Sequence, residues 1–339
     1  MSRALDPETA ASLKKGNPRA AYQAISSALV CPPDGLLEIE ILGKSHSHFL
    51  EDGQHVLQDG RAVGIPKLSL VQAFMVAREQ LRDYLGGVTP IPDDQVFATT
   101  AVILLFDPEH LTAANTRKRL IREEISSCGG ASTRLDKEKR FLDSLLTSRL
   151  HRHTKSPTLW SHRRWLMTMF TSHALPVDVL GDIRDVVFVA GERHPRNYYA
   201  WCHARLLMGL DGNRNLPEML QAVRAWCFQH HTDTSGWSFL YFLLNTGGSS
   251  SSTETACSTL AEILGLVGSL RLANESVWVF LRTLAASRLV GDEQCSQFRA
   301  VQRAVLETST TPADQAVLRA AVDWCETFRE RSETRLSGV

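Results

Sequence analysis

The sequence predicts an all-α fold, an α-solenoid of about five to seven helical hairpins. Three observations support this prediction. A tryptophan-centred motif recurs along the chain, each clear copy starts with a residue type that begins helices, and an amphipathic stretch precedes it. Because a single hairpin cannot bury its apolar stripe alone, neighbouring hairpins are expected to stack on each other.

The motif copies align on positions 114, 160, 201, 237 and 278. The last four positions are tryptophans, and the first is Ala114. The spacings between them are 46, 41, 36 and 41 residues. A recurring unit of this size is typical of a helical-repeat array. The motifs lie near residues 107–121, 153–167, 194–207, 230–243 and 271–284.

Each tryptophan is expected in the first turns of a helix. The residues four positions earlier are all helix N-cap types, whose side-chain oxygens accept hydrogen bonds from free backbone N–H groups. These residues are Ser156, Asn197, Asp233 and Asn274. Pro157 follows the first of them, at the first helical position, where its missing N–H costs nothing. The tryptophan and the arginines three or four residues later then share one helix face.

The stretch before each motif has apolar residues at helical spacing, so the repeating unit is a helix, a turn and a capped helix. These apolar residues are Leu142, Leu145, Leu146 and Leu150; Leu180, Ile183 and Val187; Met219, Leu220, Val223 and Cys227; and Leu260, Ile263, Leu264 and Val267.

The predicted domain organisation has three parts. Residues 1–65 are expected to be irregular, with a short hairpin between turn signals at Gly53 and Gly60. Residues 66–290 hold the repeats, starting with a helix over 66–86 and including a Gly/Ser loop over 247–253. Residues 291–332 are predicted to form two capping helices.

Composition restricts the function classes. The 339 residues carry 37 basic and 37 acidic side chains, so the overall charge does not favour nucleic acid, and any anion site must be local. The start of the sequence lacks the apolar run of a signal peptide, and no run is long enough to span a membrane. The seven scattered cysteines indicate reduced thiols. We therefore expect a cytoplasmic protein.

The motifs resemble the repeat of protein prenyltransferase α subunits, Pro-x-Asn-Tyr-x-x-Trp-x-x-Arg-Arg. The stretch 194–201, His-Pro-Arg-Asn-Tyr-Tyr-Ala-Trp, is nearly a full match. Thr112-Ala113, Arg117-Lys118, Lys155-Ser156-Pro157, His162-Arg163-Arg164-Trp165 and Ser235-Gly236 are similar to the orphan branch, the protein prenyltransferase α subunit repeat-containing proteins. The resemblance covers about residues 70–285.

This resemblance implies a right-handed crescent of hairpins that wraps a β subunit. It implies that the β subunit holds a zinc ion, which activates the substrate cysteine thiolate, and the isoprenoid pocket. No cofactor is expected in the present chain. The expected partner is the β subunit of a Rab-type geranylgeranyltransferase. The pair would transfer a geranylgeranyl group from its diphosphate to a cysteine near the C-terminus of a protein substrate.

The resemblance also assigns a role to Lys155. In the family, a lysine at this position of the second repeat binds the leaving diphosphate, and the N-terminus of the following helix favours an anion there. The third repeat retains Arg196, Asn197 and Tyr198, which are expected to line the same mouth. The sequence departs from better-known members at Pro157, where they carry a tyrosine.

The other motif residues are predicted to be structural. The tryptophans Trp160, Trp201, Trp237 and Trp278 are expected to pack each hairpin on the next. The arginines either stack on the tryptophans and bond within the repeats or contact the β subunit. They are Arg163, Arg164, Arg205 and Arg282.

Two alternatives remain at this point. One is a non-catalytic helical-repeat scaffold of tetratricopeptide type, although that repeat has a uniform period of about 34 residues. The other is a family member that only binds a partner, because the first repeat lacks its tryptophan and the fourth lacks its arginines. His151 and His153 have no third ligand residue nearby, so we expect solvent-exposed histidines and no metal site.

Overall fold

Helices dominate the chain, which confirms the predicted all-α class. The computed structural model describes residues 16–30, 35–43, 51, 53–88, 90–128, 131–212, 214–246 and 250–334. The chain divides into two compact units, Met1–His203 and Ala204–Val339. None of the helices in the described ranges is long and apolar enough to cross a membrane.

The first unit begins with a helix and a small sheet and continues with helical hairpins. Its helices are α1 (Pro18–Ala28), α2 (Lys67–Leu85), α3 (Asp93–Phe106), α4 (Leu111–Cys128), α5 (Ala131–Leu146), α6 (His151–Thr154), α7 (Pro157–Ser172), α8 (Val179–Asp182) and α9 (Val189–Arg193), with a π-helical turn at Ile183–Phe188 between the last two. Helix α10 (Tyr198–Asp211) begins in this unit. The predicted helix over 66–86 is α2.

The second unit contains hairpins only, in its described part. Its helices after α10 are α11 (Leu216–Gln229), α12 (Thr234–Thr246), α13 (Ser250–Leu270), α14 (Glu275–Ala285), α15 (Asp292–Thr308) and α16 (Pro312–Thr334). Helix α12 packs against α11 and α14, and α14 packs against α16. The two helices predicted after residue 290 are α15 and α16.

The N-terminal segment is more regular than the sequence predicts. It contains α1 and a sheet of β1 (Glu38–Leu42), β2 (Leu57–Asp59) and β3 (Ala62–Pro66) in the order β1-β3-β2. Strands β2 and β3 form a hairpin that turns at one of the two predicted turn signals, Gly60, which has a positive φ of 56°. Only β2 lies between the two signals. Strand β1 pairs with β3 in parallel. Such pairing leaves no local sequence signal, because its partner is distant in the chain.

The prediction of a Gly/Ser loop over 247–253 is wrong for residues 250–253, which are helical. Helix α13 begins at Ser250, and residues 247–249 lie outside the described residues. Serine and threonine are common in the first turn of a helix, because their hydroxyls can bond to the free backbone N–H groups there. A serine-rich stretch therefore does not by itself distinguish a loop from a helix start.

Helix capping follows the prediction in all four tryptophan motifs. The side chain of each predicted cap accepts a hydrogen bond from the backbone N–H three residues later. The donors are Leu159 for Ser156 at 3.1 Å, Ala200 for Asn197 at 3.3 Å, Gly236 for Asp233 at 3.0 Å and Val277 for Asn274 at 3.2 Å. The first motif has an unpredicted equivalent, because Nδ1 of His110 accepts from the N–H of Ala113 at 3.1 Å.

Candidate functional site

Lys155 is exposed and lies in the connection between α6 and α7. Its neighbours in the chain, Thr154 and Ser156, are both buried. The lysine side chain therefore reaches solvent from a backbone whose position is fixed on both sides.

Two motif residues hold the carbonyl group that precedes Lys155. The indole N–H of Trp160 donates to the carbonyl oxygen of Thr154 at 2.8 Å. The amide Nδ2 of Asn197, from the third repeat, donates to the same oxygen at 2.6 Å. The second and third motifs thus converge on the peptide next to the lysine.

The first motif holds the other side of Lys155. The hydroxyl of Ser156 donates to the carbonyl of Pro108 at 3.1 Å, while it also caps α7. The hydroxyl of Thr158 donates to the carboxylate of Glu109 at 2.7 Å. Three consecutive repeats therefore position the Lys155 backbone.

The surroundings of Lys155 are basic. The rings of His151 and His194 are 5.9 Å apart. The pKa of His194 is lowered by partial burial and then by the positive charges of Lys155 and His151. His194 thus lies close enough to Lys155 and His151 for their charges to affect its pKa.

The three predicted residues of the third motif do not lie in equivalent environments. Arg196 is exposed and adopts a positive φ of 61° in the turn before α10. Tyr198 is 68% exposed. Asn197 is buried, and its amide bonds to Thr154 and to Ala190 while its oxygen caps α10. Asn197 was predicted to line the mouth of the diphosphate site. Its side chain instead bonds to backbone groups.

The tryptophans form part of the core, as predicted, with exposures of 3%, 1%, 1% and 0% along the chain. Three of them make the same type of hydrogen bond, which the sequence did not predict. The indole N–H donates to the carbonyl six residues earlier: Trp160 to Thr154 at 2.8 Å, Trp237 to His231 at 2.9 Å and Trp278 to Leu272 at 2.8 Å. Each tryptophan thereby ties its helix to the preceding turn.

The adjacent arginines of the second motif have opposite environments. Arg163 is fully buried, and its guanidinium bonds to Asp143 at 2.7 Å and to Asp182 at 3.1 Å. Burial alone would raise the pKa of Asp143, but Arg163 and then Lys139 hold it below its usual value. Arg164 is exposed. Arg163 is therefore structural, in line with the packing alternative.

The remaining predicted arginines stack on aromatic rings other than those of their own motif tryptophans. Arg205 lies over Phe239 and Phe242, at 5.7 and 5.5 Å from the ring centres, and donates to Ser238. Arg282 lies 5.0 Å from the ring centre of Trp324. Both contacts support the packing alternative.

A second buried arginine was missed. Arg117, at the position equivalent to Arg163, bonds to both carboxylate oxygens of Glu138 at 2.8 and 2.6 Å. His162 lies 3.4 Å from the same carboxylate. Arg163 repeats this arrangement with Asp182 and with His203, whose Nε2 accepts from Nη1 at 2.6 Å. Both arginines stand three residues after the motif position, which is Ala114 or Trp160, and this shared spacing was the available signal.

His151 and His153 also differ. His151 is exposed, as predicted, whereas His153 is buried and its Nε2 lies 3.1 and 2.9 Å from the carbonyl oxygens of Leu104 and Leu105. The prediction of two exposed histidines is therefore wrong for His153. Burial lowers the pKa of its ring to about 4 from the usual 6.5.

We expect His153 to make stability depend on pH. Between pH 6.5 and about 4 the unfolded chain binds a proton that the folded ring does not, so stability falls as the pH falls through this window. Each pH unit within this window changes the free energy of unfolding by about 1.4 kcal/mol. His153→Gln should therefore reduce the loss of unfolding free energy between about pH 7 and pH 5 by about 2 kcal/mol, measured by urea unfolding. The matched comparison is His151→Gln, at an exposed histidine of the same short helix, and an equal effect of both variants would contradict the assignment.

A cleft of about 890 Å³ lies in the same unit, between the sheet and the helical layer. Lys139, Asp143 and Asp182 are in its wall, so the ion cluster around Arg163 borders it. Lys155, Arg196 and Tyr198 are not among the described residues that line it. This cleft is thus separate from the predicted diphosphate site.

Comparison with known proteins agrees with this repeat organisation. The protein prenyltransferase alpha subunit repeat model matches residues 135–170, and the ECM9 middle domain model matches residues 159–267. These ranges contain the buried Arg163 and three of the four tryptophans.

Curated relatives match about half of the chain. Protein ECM9 of Saccharomyces cerevisiae is 28% identical over 182 residues, which cover 52% of this chain and 47% of that protein. Human protein prenyltransferase alpha subunit repeat-containing protein 1 is 32% identical over 174 residues, 45% of this chain and 40% of that protein. The Xenopus laevis protein 1-B is 28% identical over 173 residues, 45% of this chain and 38% of that protein. The chain thus matches less than half the length of these relatives. Together with the capped tryptophan motifs, these similarities show that this part of the chain resembles the protein prenyltransferase α subunit repeat and the proteins that carry it.

Proposed function

We propose that this chain is the α-like subunit of a heterodimeric protein prenyltransferase. It would support transfer of a geranylgeranyl group from its diphosphate to a cysteine thiolate of a protein substrate. The observation that carries the proposal is the position of Lys155, an exposed cation on a backbone that three repeats hold. The proposed partner is a Rab-type geranylgeranyltransferase β subunit.

Lys155 has a defined task in this reaction. As the thiolate sulfur bonds to C1 of the isoprenoid, the bond from C1 to the diphosphate oxygen breaks, and negative charge grows on the leaving group. A cation that is already in place stabilises this charge without reorganisation. The bonds of Thr154 and Ser156 support that role, because they hold the backbone from which the lysine side chain extends. A zinc ion in the partner would activate the cysteine thiolate of the protein substrate.

Arg196 and Tyr198 are proposed to assist Lys155 at the exposed side. Both side chains are exposed, and the turn that carries them begins next to His194. The pKa of His194 is lowered by burial and then by the charge of Lys155. Asn197 is proposed to position Lys155 rather than to contact the diphosphate, because its amide bonds to the Thr154 carbonyl.

The test is co-expression with the Rab-type β subunit, followed by transfer of labelled geranylgeranyl diphosphate to cytosolic proteins. Lys155→Ala should lower turnover by about 10²- to 10³-fold, as expected for loss of one preorganised donor, with unchanged complex formation. Lys137→Ala removes an equally exposed lysine from α5 and should leave turnover unchanged. Unchanged turnover in Lys155→Ala would contradict the proposed role.

The alternative is a non-catalytic helical-repeat protein that binds a partner. It is favoured by the second unit, where leucines occupy positions 240 and 281 in place of the buried arginines. A stable one-to-one complex that transfers no label would support this alternative. Absence of any complex would support a scaffold unrelated to the prenyltransferase partner.

A further inference from the structure

Two cations on α4 share one aromatic ring on α7. The ammonium of Lys118 lies 5.8 Å from the ring centre of Trp165, and the guanidinium carbon of Arg122 lies 5.4 Å from it. Lys118 and Arg122 are one helical turn apart, so they present their charges on the same face. We call these three residues the basic–indole patch.

The charges of this patch are not neutralised within the described part of the chain. No carboxylate of the described residues lies within 4.0 Å of the Lys118 ammonium or the Arg122 guanidinium. The nearby Glu138 is already bonded through both oxygens to Arg117. The pKa of Lys118 is lowered by burial and next by the charge of Arg122. The patch thus keeps two like charges together at an electrostatic cost.

The neighbouring Arg119 provides the contrast. It is 3.8 Å from the carboxylate of Glu123 and donates to the hydroxyl of Tyr84 at 3.2 Å. Arg119 therefore has partners of its own, a carboxylate and a hydroxyl, although it lies only three residues before Arg122. The unneutralised charge is a property of the patch and not of the whole helix.

Trp165 adds an apolar surface. It is half-buried, so part of its ring is accessible to solvent. A partly exposed indole can pack against an apolar side chain while its N–H bonds to a backbone carbonyl. A tryptophan at this offset is peculiar to the second motif, since the other copies carry Arg119, Leu206, Phe242 and Thr283.

We propose that the basic–indole patch binds an acidic segment of a partner polypeptide. Carboxylates of that segment neutralise Lys118 and Arg122, and an apolar side chain between them packs on Trp165. A simple inorganic anion uses only the two cations, so the accessible part of the half-buried indole favours a polypeptide. This inference is independent of the prenyl-transfer proposal, because it involves neither Lys155 nor a diphosphate.

The test uses the full chain and a fluorescein-labelled peptide of alternating glutamate and leucine, followed by fluorescence anisotropy at about 50 mM salt, where charge effects are weakly screened. The double variant Lys118→Gln/Arg122→Gln should weaken binding by about tenfold or more. Arg119→Gln removes the same type of charge from the same helix and should change affinity by less than about twofold. Far-ultraviolet circular dichroism melts establish that each variant is folded.

Two further measurements separate the patch from general charge attraction. Trp165→Ser should weaken binding by about fivefold or more while net charge stays the same. A peptide with glutamine in place of glutamate should not bind. The proposal is overturned if the wild-type chain does not bind the peptide, if Arg119→Gln weakens binding as much as the double variant, or if inorganic phosphate displaces the peptide at equal concentration.

Discussion

Arg163→Leu is expected to lower the free energy of unfolding by about 3–5 kcal/mol. The guanidinium is fully buried and bonds to Asp143 and Asp182. With leucine at this position, the two buried carboxylates would keep their ion pairs with Lys139, at 2.9 Å from Asp143 and 2.7 Å from Asp182. Removal of one partner from a buried ion pair is costly because the other charge stays buried. Urea unfolding near neutral pH measures the effect.

The adjacent residue gives the matched control. Arg164 is exposed on the same helix, so Arg164→Leu should change the free energy of unfolding by no more than about 0.5 kcal/mol. Similar losses in both variants would contradict the role assigned to the buried cluster. A loss below about 1 kcal/mol in Arg163→Leu would do the same.

Trp237→Ala is expected to cost about 3–5 kcal/mol in the second unit. The ring is 1% exposed and lies 5.1 Å from the ring centre of Phe280. Alanine would leave a cavity that the surrounding helices fill only in part. Urea unfolding followed by far-ultraviolet circular dichroism measures this cost without relying on tryptophan fluorescence.

Trp237→Phe separates packing from hydrogen bonding at the same position. Phenylalanine retains much of the buried volume but cannot donate to the carbonyl of His231, which accepts from the indole at 2.9 Å. We expect a loss of about 1–2 kcal/mol, smaller than that of the alanine variant. If Trp237→Phe costs nothing, the shared indole hydrogen bond does not stabilise the repeats.

The repeat skeleton could be predicted because its determinants are local in sequence. Caps such as Ser156 and Asn274 act within three residues, and helical spacing identifies the apolar stripes. The helix starts, the hairpins and the buried tryptophans therefore follow from short patterns. The parallel pairing of β1 with β3 does not, because its partners are separated by some twenty residues and by the β2 hairpin.

The candidate site shows the same limit. The sequence identifies Lys155 through its position in the second motif. It does not reveal that the Thr154 carbonyl accepts hydrogen bonds from both Trp160 and Asn197. Nor does it pair Arg117 with Glu138, since that acid lies on the next hairpin and only packing brings it close. Two adjacent arginines look equivalent in sequence, yet Arg163 is buried and Arg164 is exposed because a helix turns by about 100° per residue.

The repeated arginine arrangement also fixes the order of the hairpins in the first unit. Arg117 requires a following hairpin that presents Glu138, and Arg163 requires one that presents Asp182. A duplicated, deleted or exchanged hairpin there would strand a charge in the core. Leu240 and Leu281 impose no such demand on their neighbours. Buried ion pairs in the first unit thus require particular hairpins to follow one another. Gain or loss of a repeat during evolution would therefore be tolerated more readily in the second unit.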